Sequence, residues 1–588
     1  MAKRLWPPGA AVISGVLLAL CFPPFGIGML VWVAMMPLLV ALWTGGSDRR
    51  RGWFGFRTGF LAGAAFWLIN LKWITEVSGM GMVTVALYLA LYFAFFGAFA
   101  AGVGNPWRPR RSGREGRDAL AEAGRSLGYA ALCALWWCGL EWTRGWMLTG
   151  FGWNGMGVAF HETLVLAQAA ELVGATGLAF LPMFMAAVVV QVARRLHGEA
   201  RRGKRLVHWD FAAAATLLAV AFLFGVFRLQ GWKPEEVVPL RVLAVQLNIP
   251  QEASRVLWSL EEVHGGYEDE TLRALNELEE ANVMRMEEEL EEGEGALEIE
   301  MPDWVLWPES ALKEWLLFTG DGLQVTGPAN RLTLERVLGA GSFTLLMGLN
   351  EIEAVLDGDI AVPVEGGDSY NSLLALPPGA ERFLSYRKQH LVMFGETIPY
   401  QDQLPILRKF YEMSAGVEFG GGFSTGSGDE PLRIPHPAAP DGQVAVIPSI
   451  CFEDTVPRLL RKYVHTGGQL IVNVTNDGWF KDSEAAAQHF ANARFRSIEL
   501  RRPMVRCSNT GVTAVVGANG SVYDPLTGSR RVLEDESGNH LTRGWLFATA
   551  YVPVDGPVTL YARGGDWLSA GGFLLGLGWW LTARWRRR

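Results

Sequence analysis

Apolar stretches recur along the first part of the chain, at residues 10–22, 28–43, 59–73, 82–103, 127–142, 173–192 and 211–227, and one more stands at 567–583. A bilayer span needs about 20 mostly apolar residues, a few more or fewer being tolerated. Several of the runs reach that length. The first two are short and are separated by Pro23-Pro24, which predicts a tight helical hairpin. A cleaved signal peptide is the alternative for the N-terminus, but no small-residue cleavage site is clear and further apolar runs follow. Beyond residue 239 the pattern changes to short β-rich runs at 240–247, 304–307, 343–349, 370–376, 444–447, 470–474, 512–517 and 546–552. Helical stretches at 457–464 and 484–500 separate some of them, and Pro457 suits a first helical position, where its missing N–H costs nothing. Apolar strands alternating with helices predict an α/β domain with a covered sheet.

Charge divides the chain at the same place. The net charge of −8 combines +10 over residues 1–238, from 22 Lys+Arg and 12 Asp+Glu, with −18 over the remainder, from 30 and 48. In the first part the basic residues follow alternate spans. Lys3 and Arg4 precede the first; Arg49, Arg50 and Arg51 follow the second; Arg108, Arg110, Arg111, Arg114, Arg117 and Arg125 follow the fourth. Arg194, Arg195, Arg201, Arg202, Lys204 and Arg205 follow the sixth, and Arg584, Arg586, Arg587 and Arg588 end the chain. The connections 74–79 and 147–172 hold no Lys or Arg, with Lys72 and Arg144 the exceptions nearby. Basic loops stay cytoplasmic, so eight spans with both termini inside fit, which puts residues 229–565 on the outer face. The expected division is 1–228 as a membrane domain with seven transmembrane helices, 229–565 as an extracytoplasmic catalytic domain, and 566–588 as a last helix with a basic tail. Half of the residues are hydrophobic and 19% are charged, which excludes disorder as the main state, and 5 Cys without framework spacing exclude a disulfide scaffold or a structural zinc protein.

Three reactive residues stand out in the second part: Glu309 in Trp307-Pro308-Glu309-Ser310, Lys388 in Tyr386-Arg387-Lys388-Gln389-His390, and Cys451 in Ser449-Ile450-Cys451-Phe452-Glu453. A carboxylate, an ammonium and a thiol form an acyl-transfer set. Cys attacks as a thiolate and needs a base or a nearby cation. Glu309 can take the proton, and Lys388 and the Phe452 N–H can hold an oxyanion. Glu396 and Glu453 can orient the Lys or the Cys loop, or serve as structural hydrogen-bond acceptors. Cys21, Cys133 and Cys138 fall in spans, and Cys507 lacks a flanking acid. In the membrane part, Glu141 and Arg144 are either a functional intramembrane pair or an ion pair at the interface. Residues 147–160, rich in Gly and aromatics, are either an irregular loop dipping into the outer leaflet or an ordinary interfacial loop. The acidic segment 260–300 reads as a solvated amphipathic helix, with an acidic contact surface as the alternative.

The order Glu, Lys, Cys in these contexts resembles the nitrilase superfamily and, more narrowly, its integral membrane family, the apolipoprotein N-acyltransferases. The resemblance is carried by Gln246-x-Asn248-Ile249-Pro250-Gln251, Trp307-Pro308-Glu309-Ser310, Lys388-x-His390-Leu391-Val392-x-Phe394-Gly395-Glu396, Cys451-x-Glu453 and Thr475-Asn476-Asp477-x-Trp479-Phe480. Gln488-His489, Asn509-x-Gly511-Val512-Thr513-Ala514, Tyr561-Ala562-Arg563-x-Gly565, Glu141-Trp142-x-Arg144 and Leu148-Thr149-Gly150-Phe151 extend it over nearly the whole chain. Met393 stands where the family usually has Pro, and Phe452 where it commonly has Tyr. The resemblance implies an α-helical multi-span membrane domain plus an α/β nitrilase-like (αββα sandwich) domain. It implies a Glu309, Lys388, Cys451 triad, with Phe452, Glu396 and Glu453 in support and Trp258, Trp479, Glu141 and Arg144 as substrate-binding candidates. Trp258 is the nearest match, a few residues late, to a functional Trp of the family. The implied reaction is fatty-acyl transfer from a phospholipid, typically phosphatidylethanolamine, to the amine of a diacylglyceryl-cysteine apolipoprotein through a thioester. It takes place at a bacterial inner membrane with the catalytic domain on the periplasmic side. The scheme requires no metal, no cofactor and no nucleic acid. Its rivals are a membrane-anchored nitrilase-type amidase and a non-enzymatic transporter or assembly factor.

Overall fold

The computed structural model describes residues 2–47, 50–108, 119–203, 207–231, 237–252, 257–292, 299–398, 403, 405–415 and 422–585. Of the residues invoked for topology, Arg49, Arg110, Arg111, Arg114, Arg117, Lys204, Arg205 and Arg586–Arg588 lie outside these. The chain forms two compact units, Met1–Trp232 with Thr559–Arg588, and Lys233–Val558.

The first unit is helical. Its main helices are Ala2–Ala19, Arg51–Asn70, Gly79–Ala101, Ala119–Arg144, Phe180–Arg202, Trp209–Gly231 and Trp567–Trp585. The second apolar run is broken into short helices, Val31–Ala34 and Met36–Thr44, and a cis Pro23-Pro24 bond lies in the turn before them. Gly79–Ala101, Phe180–Arg202 and Trp209–Gln230 are long and apolar enough to cross a membrane. Small residues bring helices together here, because between apolar helices in lipid it is close packing that holds. Gly55, Gly59 and Gly63 line one face of Arg51–Asn70. A Cβ on Gly55 would stand 2.1 Å from the Gly97 carbonyl oxygen, and one on Gly59 2.2 Å from that of Phe93.

The second unit is a two-sheet sandwich. The first sheet contains β1 (Val237–Gln246), β2 (Trp304–Trp307), β3 (Leu316–Phe318), β4 (Gln324–Val325), β5 (Thr344–Asp357), β6 (Ile360–Pro363), β7 (Ser369–Leu376) and β8 (Leu384–Arg387). The second contains β9 (Leu432–Pro435), β10 (Gln443–Ile450), β11 (Gln469–Thr475), β12 (Met504–Ser508) and β13 (Ala514–Val516). The last strand, β14 (Gly544–Pro553), returns to the first sheet and pairs antiparallel with β1, from Val237↔Pro553 to Gln246↔Gly544. The pairs β1–β2, β2–β5, β10–β11 and β11–β12 are parallel. Strands covered on both faces read as continuous apolar runs, as Trp304–Trp307 does.

Helices Leu260–Glu292 and Pro328–Leu338 cover the first sheet: Val263, Tyr267, Leu275, Leu334 and Val337 pack on Leu243, Val305, Trp307 and Met347. The acidic segment is thus, where described, an amphipathic helix seated by its apolar stripe. Helix Ala485–Leu500 is buried along nearly its whole length and meets the second sheet through His489 and Arg506. Cys507, on β12, reaches from one sheet to the other, its thiol 3.5 Å from the Val245 carbonyl and 3.4 Å from that of Leu306. Three expectations change. The helix at 457–464 is one turn, Pro457–Leu460, followed by a 3₁₀ turn, Arg461–Tyr463. The strand at 512–517 shortens to Ala514–Val516. The strands β3, β4, β6, β8, β9 and β12 were not anticipated; in β12 Arg506 interrupts the apolar pattern, and the fold buries that arginine among carboxylates.

Candidate active site

Each reactive residue sits where a strand stops: Glu309 after β2 and Pro308, Lys388 directly after β8, and Cys451 directly after β10. The chain turns sharply at two of these points. Cys451 has φ 52° and Ser310 φ 50°, left-handed conformations that cost non-glycine residues about 1–3 kcal/mol and gather at functional sites. Cys451 opens a 3₁₀ turn, Cys451–Thr455. Of the five cysteines it alone keeps part of its surface accessible.

Lys388 is fully buried, its Nζ 2.8 Å from Glu396 Oε1 and 3.3 Å from Glu309 Oε1. Asn371 Nδ2 donates to the same two oxygens at 2.7 Å (Glu309) and 2.9 Å (Glu396). Glu396 Oε2 accepts the Val392 N–H at 2.8 Å. Burial works against the Lys388 charge, but Glu309 and then Glu396 outweigh it and hold its pKa well above the ordinary lysine value. Burial would raise the Glu396 carboxyl, and Lys388 overrides it to leave the carboxyl below the usual range. The Cys451 thiol is pushed up by burial and then by Glu309, against the pull of Lys388. Cys451 therefore rests as a thiol, and a thiol needs a base at hand before its sulfur can attack.

Glu453 ties the Lys and Cys loops together. Its carboxylate accepts from the Tyr386 hydroxyl at 3.0 Å, the Gln389 N–H at 2.7 Å, the His390 N–H at 2.9 Å and the Ile450 N–H at 2.9 Å. Burial raises it to about 7, against Lys388 and these backbone donors. The Phe452 ring stacks on His390, centroids 6.0 Å apart. Gly348, on β5, backs the Glu309 turn so closely that a Cβ would stand 2.4 Å from Glu309 Cα and 2.7 Å from the Pro308 oxygen. Gly348→Ala is expected to displace Glu309, destabilising the domain by about 1–3 kcal/mol and lowering kcat. A variant with wild-type Tm and kcat would show that the turn has room to spare.

The other anticipated residues are placed separately. Trp479 lies half-exposed in the 3₁₀ turn Gly478–Phe480, and Trp258 packs against the core under helix Leu260–Glu292. Glu141 and Arg144 belong to the helical unit, where both serve the 147–160 loop. Glu141 Oε1 accepts the Met156 N–H at 2.8 Å. Arg144 Nη1 donates to the carbonyls of Phe151 at 2.8 Å and Trp153 at 2.7 Å, and its guanidinium lies 5.0 Å from the Trp67 ring centroid. The loop is irregular, with Leu148, Thr149 and Asn154 at positive φ. Three of its backbone groups are thus bonded by side chains of the helix Ala119–Arg144. Among the described residues no group of three or more His, Cys, Asp or Glu is placed to hold a metal.

Residues 14–188 match the apolipoprotein N-acyltransferase N-terminal domain, and residues 293–530 match the carbon-nitrogen hydrolase domain. An apolipoprotein N-acyltransferase of Geobacter metallireducens is 31% identical over 524 residues, spanning 87% of this chain and 85% of the relative. The chain belongs to the apolipoprotein N-acyltransferase family. Other apolipoprotein N-acyltransferases are similar along most of their length: that of Bradyrhizobium diazoefficiens is 29% identical, covering 95% of this chain and 91% of the relative. That of Rhodopseudomonas palustris is 29% identical, covering 88% and 86%. As an apolipoprotein N-acyltransferase, the chain is a membrane-associated acyltransferase with a carbon–nitrogen hydrolase domain.

Two site residues escaped sequence reasoning, Asn371 and Tyr386. The only trace of Asn371 is an amide side chain at the polar start of β7, between Tyr370 and Ser372. Tyr386 stood in the sequence only as a neighbour of Lys388, with no strand anticipated there.

Proposed function

We propose that this protein transfers a fatty acyl chain from a phospholipid, with phosphatidylethanolamine as donor, to the α-amine of a diacylglyceryl-cysteine apolipoprotein. It does so in the bacterial inner membrane. Residues 1–228 and 566–588 form the membrane part, and 229–565 the catalytic part on the periplasmic face. As the Cys451 sulfur attacks the ester carbonyl, Glu309 takes the thiol proton. An ammonium has three N–H groups. Two of those on Lys388 face carboxylates, and the third, with the Phe452 N–H, holds the tetrahedral oxyanion. Collapse expels the lysophospholipid alkoxide, which takes the proton from Glu309, and leaves a thioester on Cys451. The apolipoprotein amine then attacks that carbonyl. Glu309 accepts the amine proton and returns it to the departing Cys451 sulfur.

The observation that carries this reading is the Lys388 ammonium held between Glu309 and Glu396, with the charges of Lys388 and Glu309 acting on the Cys451 thiol. Intact-protein mass spectrometry after incubation with phosphatidylethanolamine should show one acyl adduct on Cys451, discharged by a diacylglyceryl peptide with N-acylation of that peptide. Hydrolysis of small amides without peptide acylation would replace this reading with an amidase.

A further inference from the structure

Behind the nucleophile turn lies a buried circuit of four charged side chains that the acyl-transfer scheme does not use. Asp454 is the fourth residue of the turn Cys451–Thr455, Asp477 follows β11, His489 is on helix Ala485–Leu500 and Arg506 is on β12. All four are buried. His489 Nε2 lies 2.8 Å from Asp454 Oδ1, and Nδ1 lies 2.7 Å from Asp477 Oδ1. Arg506 bonds the other oxygen of Asp454 and, at 2.9 Å, Asn473 Oδ1. Its Nη2 stands 3.3 Å from Asp477 Oδ2 and 3.1 Å from His489 Nδ1. Arg496, on the same helix as His489, reaches the Asp454 carbonyl at 3.4 Å and pairs with Glu499 at 2.9 Å.

A carboxylate only accepts hydrogen bonds, so a ring with a carboxylate on each nitrogen carries both protons. The shorter contact at Nδ1 is the carboxylate, not Arg506. Two anions and two cations then balance with no charge left over. The circuit joins the nucleophile turn to β11, β12 and the covering helix, and the Asp477 charge also acts on the Cys451 thiol.

We propose that His489 is a positioning residue for acyl transfer: as an imidazolium shared by Asp454 and Asp477, it fixes the turn that carries Cys451, and the turn loosens when the proton leaves. This rests on Cys451 being the nucleophile. Burial opposes the charge, but Asp454 and Asp477 overcome it and raise His489 to about 9. A raised pKa means that the contribution is complete below the ordinary histidine value and is lost as pH rises through about 9. The rate of acyl transfer therefore falls on the alkaline side.

The test is the rate of thioester formation on the full-length protein in detergent with phosphatidylethanolamine, over about pH 6 to 10. Hydrogen exchange at the Cys451–Thr455 amides, corrected for intrinsic rates, is followed in parallel. In the wild type, thioester formation should fall by about tenfold per pH unit above the His489 pKa, and amide protection should fall with it. Asp477→Asn removes one of the two carboxylates and should bring both falls at least about one unit lower. His489→Gln should be slow throughout and show no alkaline fall. If Asp477→Asn keeps the wild-type profile in both readouts, the proposal is wrong, whether or not His489→Gln folds. Absence of a thioester at every pH in the wild type would overturn the acyl-transfer reading instead, and the amide protection would then decide for His489.

Discussion

Cys451→Ala is expected to abolish acyl-enzyme formation and to lower acyl transfer by about 10⁴-fold or more, the scale seen when a nucleophile is removed. Stability should change little. The thiol is uncharged at neutral pH, since burial and Glu309 push it up, so no ion loses its partner. The left-handed backbone at this position carries a Cβ before and after the change. Intact-protein mass spectrometry of the purified variant with phosphatidylethanolamine checks the assignment, and an acyl adduct persisting on the alanine variant would sink it. Cys507→Ala is the internal control. That thiol is sealed between the two sheets, so the variant should keep the adduct and lose only the stability that goes with a small cavity, about 1 kcal/mol.

Lys388→Met is expected to damage both chemistry and folding, with opposite responses to a second substitution. Without the ammonium, the oxyanion loses a donor, a change worth about 10²–10³ in kcat in comparable sites. Glu309 and Glu396 are left close together and without their cation, both held by Asn371. Removing one partner of a buried ion pair costs about 3–5 kcal/mol. With Lys388 present, Glu396 is depressed, so its contribution to stability exists above the ordinary carboxyl value and is lost as pH falls. Without Lys388 the sign reverses: the variant should be weakest at neutral and alkaline pH and recover as acid protonates the stranded carboxyl. Adding Glu396→Gln should restore part of the stability and none of the activity. Thermal unfolding against pH, alongside the acyl-transfer assay, checks both halves. An unfolding profile parallel to that of the wild type would mean that Lys388 does not neutralise these carboxylates.

The separation of a basic, apolar part from an acidic α/β part was legible along the chain, because span length and strand runs are local patterns. Glu309 and Cys451 were legible too, since each follows its strand within a few residues and the turn chemistry is written beside it. Partnership was harder to read. That Glu396 bonds Lys388 and that Glu453 binds the Lys loop to the Cys loop were open alternatives until the folded distances settled them. Asn371 and Tyr386 had no mark that set them apart from their neighbours in the sequence.

β12 shows the limit most clearly. Arg506 in a short strand argues against burial when read alone, because a lone buried cation is very costly. The structure buries it fully by bringing Asp454 and Asp477, 52 and 29 residues away, onto the same guanidinium, with His489 between them. Periodicity and turn residues act over a few positions, so the sequence by itself determined the two-part division, the apolar strands, the strand ends that carry Glu309 and Cys451, and the family. Neutralising buried charge requires groups to converge from distant segments. Only the tertiary structure could decide which carboxylates hold Lys388 and which share His489.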